Sequence, residues 1–168
     1  MESESGRVAA WVGLGSNLDD PQAHVLAAFT ELAGIRATEL IRTSSLYRSA
    51  PWGGIEQPAF INAVAQLQTR LTPRELLESL LAIERRHGRV RDGKRWGPRT
   101  LDLDLLVHGE AIIHEDGLEV PHPQLAQRAF VLAPLAQIAA HLQVPGMGVV
   151  AELLRRVDAS QCVPIDSA

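Results

Sequence analysis

One cysteine, Cys162, is all that the 168 residues contain, so no disulfide can form within the chain, and a reducing cytoplasm is the expected setting. No apolar run approaches the roughly 18 residues that a membrane span requires, and none is expected. The opening MESESGRV has no basic stretch running into an apolar one, so it does not read as a signal peptide. An excess of positive charge is also lacking. The formal net charge of -4 argues against a general nucleic-acid binder, which carries a basic surface. There is no internal repeat and no low-complexity tract, and the absence of a GxxxxGK[ST] string excludes a P-loop phosphate site.

What is present is an ordinary globular composition, 46% hydrophobic and 21% charged, of a length that suits one domain. A single domain over 1–168 is expected, with 1–6 and about 159–168 as flexible tails. The apolar, β-prone RVAAWVGL predicts a buried first strand that Gly15, Ser16 and Asn17 break. Asp19 and Asp20 before Pro21 predict a helix start, and apolar residues at helical spacing carry it to Gly34. Strands are expected over 37–48 and 59–70, on either side of the Pro- and Gly-rich SAPWGGIEQP. Thr72, Pro73 and Glu75 form a capping box that opens a second helix ending near Gly88. A strand follows over 100–107, then a short hairpin, then helical spacing over 128–140 and 148–157, with Pro134 expected to kink or break the first of these. The order β, α, β, β, α, β, hairpin, helices predicts an α+β fold with a ferredoxin-like βαββαβ core, a mostly antiparallel sheet with its helices on one face.

Chemistry concentrates in the segment before and within TLDLDLLV. Of the 16 Lys and Arg residues, seven lie between positions 85 and 99: Arg85, Arg86, Arg89, Arg91, Lys94, Arg95 and Arg99. On an acidic chain such a cluster points to a local anion site. Because strand side chains alternate, Asp102 and Asp104 share one face while Leu101, Leu103 and Leu105 point into the core. Two carboxylates about 6.5–7 Å apart at their Cα atoms repel unless a cation joins them. Magnesium, which takes few carboxylates and completes its shell with phosphate oxygens and water, suits this pair better than calcium. Arg95 and Arg99 immediately upstream supply forks for phosphate. On its own a DLD string more often marks the wet face of an amphipathic strand; the adjoining arginines shift the balance to a magnesium–nucleotide site.

The string RWGPRTLDLDLL resembles the hydroxymethyldihydropterin pyrophosphokinase family of folate synthesis, together with GLGSN, SSLYRSAPWG, QPAFINAV, IERRHGRVR and VPHPQLAQRAF in the family's order. The resemblance implies transfer of the pyrophosphoryl group of ATP to the hydroxymethyl group of 6-hydroxymethyl-7,8-dihydropterin, yielding AMP and the pterin diphosphate. It implies two magnesium ions on Asp102 and Asp104, with Arg89 and Arg91 as catalytic residues in a closing loop. It places ATP on Glu84, Arg91, Arg95, Trp96, Arg99, Leu105, His122 and Arg128. The pterin is implied between Phe60 and Phe130, its edge met by Asn62 and by groups at Ser49, Pro51 and Trp52. Arg85 and Arg86 have no counterpart and suit the C-terminal end of the second helix. The chain departs from the family pattern at Leu81, Trp52 and Pro123. Small-molecule substrates, no nucleic acid, no membrane, a cytoplasmic setting and a monomer or homodimer are the expectations that follow. Two other readings share some of these features. A nucleotidyltransferase also uses paired strand carboxylates, and an RNA-binding module also carries strand aromatics, though without the basic pattern seen there.

Overall fold

In the computed structural model the described residues are 6–49, 58–88 and 100–165. Strand β1 (Val8–Ser16) leads to helix α1 (Pro21–Ala33), then to strands β2 (Thr38–Thr43), β3 (Tyr47–Ser49) and β4 (Phe60–Thr69), and to helix α2 (Pro73–Arg86). Strand β5 (Asp102–His108) follows, then the hairpin β6 (Ile113–Glu115) and β7 (Leu118–Val120), and helix α3 (Ala129–Ala139). The chain closes with β8 (Gln143–Val144), β9 (Gly148–Val149), helix α4 (Val150–Arg155) and β10 (Val163–Pro164).

The main sheet is six-stranded and antiparallel, in the order β10-β3-β4-β1-β5, with β2 also paired to β4. The first two helices form for the reasons their sequences suggest. Asp20 accepts a hydrogen bond from the Ala23 amide at the start of α1, and Thr72 and Glu75 cap α2 reciprocally around Pro73. Arg85 and Arg86 lie in the last turn of α2, where cations meet the negative end of the helix. His87, just beyond that turn, faces both His24 Nδ1 (2.6 Å) and Glu31 Oε1 (2.6 Å), which joins the end of α2 to α1. Pro134 sits inside α3 without ending it, so the expected break does not occur.

The sheet has helices on both faces, where the sequence pattern suggested one. Beneath it, Val25, Ala28 and Leu32 of α1 and Leu76, Leu80 and Ile83 of α2 pack on Val12, Leu14, Ile61, Ala63, Ala65, Leu103 and Leu105. Above it, Val131, Leu132 and Leu135 of α3 and Val150 and Leu153 of α4 form a second core with Trp11, Val64 and Leu106. The second core covers only part of the upper face. Gln137 of α3 fixes its margin: its amide oxygen accepts from the Ser45 amide (2.8 Å) and the Tyr47 hydroxyl (3.2 Å), and its Nε2 meets Ser45 Oγ (2.9 Å).

Burial in the lower core is close to complete at Leu80, whereas Leu26 on α1 is 53% exposed. Leu80→Ala is therefore expected to cost about 3 kcal/mol and to lower Tm by about 6–12 °C. Leu26→Ala should shift it little, within about 0.5 kcal/mol. Calorimetric melting of the two variants checks this, and equal shifts would contradict the assigned core.

Candidate active site

The uncovered part of the upper face is built by strand register. Asp102 pairs with Gly15, Gly15 with Asn62, and Asn62 with Tyr47, so these four side-chain positions lie in one row across the sheet. In the next row Asp104 pairs with Gly13 and Gly13 with Val64. The aspartates thus stand on one strand, Phe60 and Asn62 on another, and two glycines form the floor between them. A Cβ on Gly15 would come within 3.1 Å of Asn62 Nδ2, closer than a side chain normally tolerates. Gly15, Ser16 and Asn17 were expected to break the strand; instead Gly15 and Ser16 are paired residues of β1, the missing side chain of Gly15 keeps the floor open beside Asn62, and that of Gly13 leaves room for Leu106.

Asp102 and Asp104 are half-buried on β5, and Leu101, Leu103 and Leu105 fill the lower core, as the alternation required. Among the described residues strand β5 pairs only with β1 within the sheet, so its outward amides need other partners. Glu84 supplies one: its side chain, 2% exposed, accepts from the Leu103 amide at 2.7 Å, between the two aspartates. The side chain of Leu105 is buried in the lower core, which leaves its backbone as the part that can meet a nucleotide. At the other end of the floor, Ser16 Oγ donates to the Thr100 carbonyl, tying β1 to the residue that leads into β5. Ser49 Oγ donates to Asn62 Oδ1, which fixes the amide and turns its NH2 toward Gly15.

The segment after β7 brings His122 and the guanidinium of Arg128 beside the aspartates. The His122 amide donates to the Leu106 carbonyl (2.9 Å), which sets the loop against β5. Arg128 Nη1 lies 3.9 Å from Asp104 Oδ2, and its guanidinium lies 5.4 Å from the centre of the Phe130 ring. Arg128 therefore connects the carboxylate pair to the aromatic residue at the start of α3. Burial drives the His122 pKa down to about 4, helped by the Arg128 charge and opposed by Asp102. Its Nδ1 accepts from the Gln124 amide (3.1 Å), which leaves the proton on Nε2 and makes a neutral ring a donor.

Thus Asp102, Asp104, His122, Arg128, Phe130, Phe60, Asn62 and Ser49 are all on or beside the open face, and Glu84 lies behind it. Pro51, Trp52, Arg89, Arg91, Arg95, Trp96 and Arg99 fall outside the described residues. Sequence reasoning did not anticipate Gly13, Gly15, Ser16 or Gln124. The glycines had a signal in their period-two spacing, which matches that of the aspartates opposite. Among the described residues no group of three or more His, Cys, Asp or Glu side chains could hold a metal by itself. A carboxylate pair suits an ion that also takes phosphate and water ligands. No helix among the described residues is long and apolar enough to cross a membrane.

Residues 11–140 match the family described as 7,8-dihydro-6-hydroxymethylpterin-pyrophosphokinase. The chain is 42% identical over 149 residues to a 2-amino-4-hydroxy-6-hydroxymethyldihydropteridine pyrophosphokinase of Haemophilus influenzae, covering 89% of this chain and 92% of that one. It is 48% identical over 144 residues to the protein of the same name from Pseudomonas aeruginosa, covering 86% and 88%. A crystal structure of wild-type Plasmodium falciparum HPPK-DHPS with pteroate shares the fold, with a TM-score of 0.70 at 14% identity. That likeness covers 93% of this chain and 43% of the Plasmodium chain.

The depressed His122 pKa has a sign. A folded value of about 4 against an ordinary 6.5 means that the unfolded chain binds more protons between those limits, so folding stability rises with pH across the window and is complete above it. In metal-free protein, wild type should lose stability relative to His122→Gln as pH falls from 6.5 to about 4, with no relative change above 6.5. Urea unfolding and imidazole NMR titration check this. A titration midpoint at the ordinary value would contradict the burial of His122 against Arg128.

Proposed function

Because the chain belongs to the 7,8-dihydro-6-hydroxymethylpterin-pyrophosphokinase family, we propose that its open sheet face is where ATP and the pterin meet. The chain is a transferase of folate synthesis that moves the pyrophosphoryl group of ATP to hydroxymethyldihydropterin. The observation that carries the assignment of the site is the row Asp102, Gly15, Asn62: carboxylates for a metal-bound triphosphate at one end, a fixed amide for a heteroaromatic edge at the other, and bare backbone between.

Asp102 and Asp104 would hold magnesium, two ions in the family pattern, and the hard oxygen donors on one strand face fit that ion. Bound magnesium would neutralise phosphate charge and polarise the groups it touches. The chain's own part is positioning and electrostatics. Arg128, 3.9 Å from Asp104, offers its guanidinium to the phosphates, and neutral His122 offers Nε2–H. Arg89, Arg91, Arg95, Trp96 and Arg99 belong to the same reading as ATP ligands, Arg89 and Arg91 with catalytic weight in neutralising the transferred group. Glu84 serves the nucleotide side by holding β5, and Leu105 by its backbone. Phe60 and Phe130 stack on the pterin, with Asn62, Ser49, Pro51 and Trp52 along its edge. In-line displacement then joins the hydroxymethyl oxygen to the β-phosphorus, breaks its bond to the α,β-bridging oxygen, releases AMP and gives the hydroxyl proton to solvent. We read the chain as one domain acting in the cytoplasm, as a monomer or homodimer.

With ATP labelled separately at the α and γ phosphates, each turnover should place the γ label in the pterin product and the α label in AMP. Free pyrophosphate would instead indicate nucleotidyl transfer. Asp102→Ala and Asp104→Ala should each lower kcat/KM by about 10³ or more with Tm preserved, because the leucines that hold β5 are untouched. Full activity in either variant would remove the metal pair from the mechanism.

A further inference from the structure

Gln124 belongs to neither the metal pair nor the pterin row, yet it touches both His122 and Arg128, the two groups read above as ATP ligands. Pro123 has no amide hydrogen, so the first donor after His122 is the Gln124 amide, and it donates to His122 Nδ1 at 3.1 Å. That bond selects the Nε2–H tautomer. Its side chain acts on the other partner: Gln124 Oε1 accepts from Arg128 Nη2. The geometry between them is a 3-10 turn, Leu125–Gln127, in which the Gln127 amide donates to the Gln124 carbonyl at 3.0 Å. Leu125, fully buried in the upper core, anchors the turn, so Gln124 is held on a rigid support.

The chemistry of the acceptor matters. An amide oxygen holds a guanidinium without cancelling its charge, whereas a carboxylate there would form a fork-to-fork pair with Arg128. It would also add a third negative group next to Asp104, whose Oδ2 is 3.9 Å from Arg128 Nη1, where the triphosphate must approach. We propose that Gln124 is a positioning residue for nucleotide binding: its backbone sets the tautomer of His122, and its neutral side chain aims Arg128 without adding a negative charge that competes with phosphate. This rests on the reading of His122 and Arg128 as ATP ligands.

The test compares Gln124→Leu, Gln124→Glu and Arg128→Ala with the full-length wild type. The dissociation constant of magnesium α,β-methylene-ATP is measured by calorimetry, that of the pterin by fluorescence, the His122 tautomer by ¹⁵N NMR, and Tm by calorimetry. Gln124→Leu should weaken the nucleotide analogue about tenfold, as loss of a hydrogen bond to a charged group does, with pterin affinity within about twofold. Because the backbone donor remains, the Nε2–H tautomer of His122 should persist. Gln124→Glu should weaken the analogue more than Gln124→Leu does, although Glu retains an acceptor. A merely structural role predicts the reverse order, with Glu rescuing both Tm and affinity, and that order would overturn the proposal. If Arg128→Ala weakens the analogue and neither Gln124 variant does, the positioning role alone fails. If Arg128→Ala leaves the affinity unchanged, the reading of Arg128 as an ATP ligand fails with it. Should Gln124→Leu not fold, Gln124→Met provides the same loss of acceptor, and its comparison with Gln124→Glu decides.

Discussion

A single buried carboxylate determines where the candidate metal ligands stand. Among the described residues strand β5 lies at the edge of the sheet, and Glu84 from α2 accepts from the Leu103 amide at 2.7 Å, on the side where no described strand pairs with it. The bond is local, but its consequence is wide. With Leu103 pinned and Leu101, Leu103 and Leu105 packed below, alternation leaves Asp102 and Asp104 no direction except the upper face. A carboxyl group buried at 2% exposure is costly unless it is well bonded, so Glu84 and β5 depend on each other.

From that strand the rest of the site follows by register. Gly15 separates Asp102 from Asn62 without filling the gap, Gly13 leaves its side-chain space to Leu106, and Ser49 fixes the amide of Asn62 on the far side. The upper core then has to stop short. Gln137 holds α3 to Ser45 and Tyr47, which brings Phe130 to the border of the open face, and Phe130 carries Arg128 back toward Asp104. In the proposed reading, substrate stacking and charge neutralisation are coupled through these neighbouring residues, a compact arrangement for a reaction that relies on placing two reactants rather than on a strong side-chain base.

Much of this was legible in the amino-acid order, because alternation and helical spacing are local. The DLD pair, the leucines behind it, the capping box at Thr72 and the two faces of β4 all needed only neighbouring residues to be read. The features that were not legible depend on distant partners. Gly15 looked like a turn because nothing nearby says that Asp102 and Asn62 flank it. A helical stretch over 129–139 does not say which sheet face it covers, so the upper core was missed. Glu84 could be placed on a helix but not against Leu103, and Gln124 acquires its two contacts only through the turn that follows it. The pterin came from family resemblance alone; the structure supplies the row of residues through which that assignment is physically reasonable.

The central claim is that Asp102 and Asp104 together hold the magnesium that carries the triphosphate. A crystal structure of the chain with Mg²⁺, α,β-methylene-ATP and 6-hydroxymethylpterin tests it most directly. The account predicts a carboxylate oxygen from each aspartate about 2.1 Å from magnesium, with the remaining positions taken by phosphate and water. Magnesium held by phosphate and water alone, away from both aspartates, would contradict it.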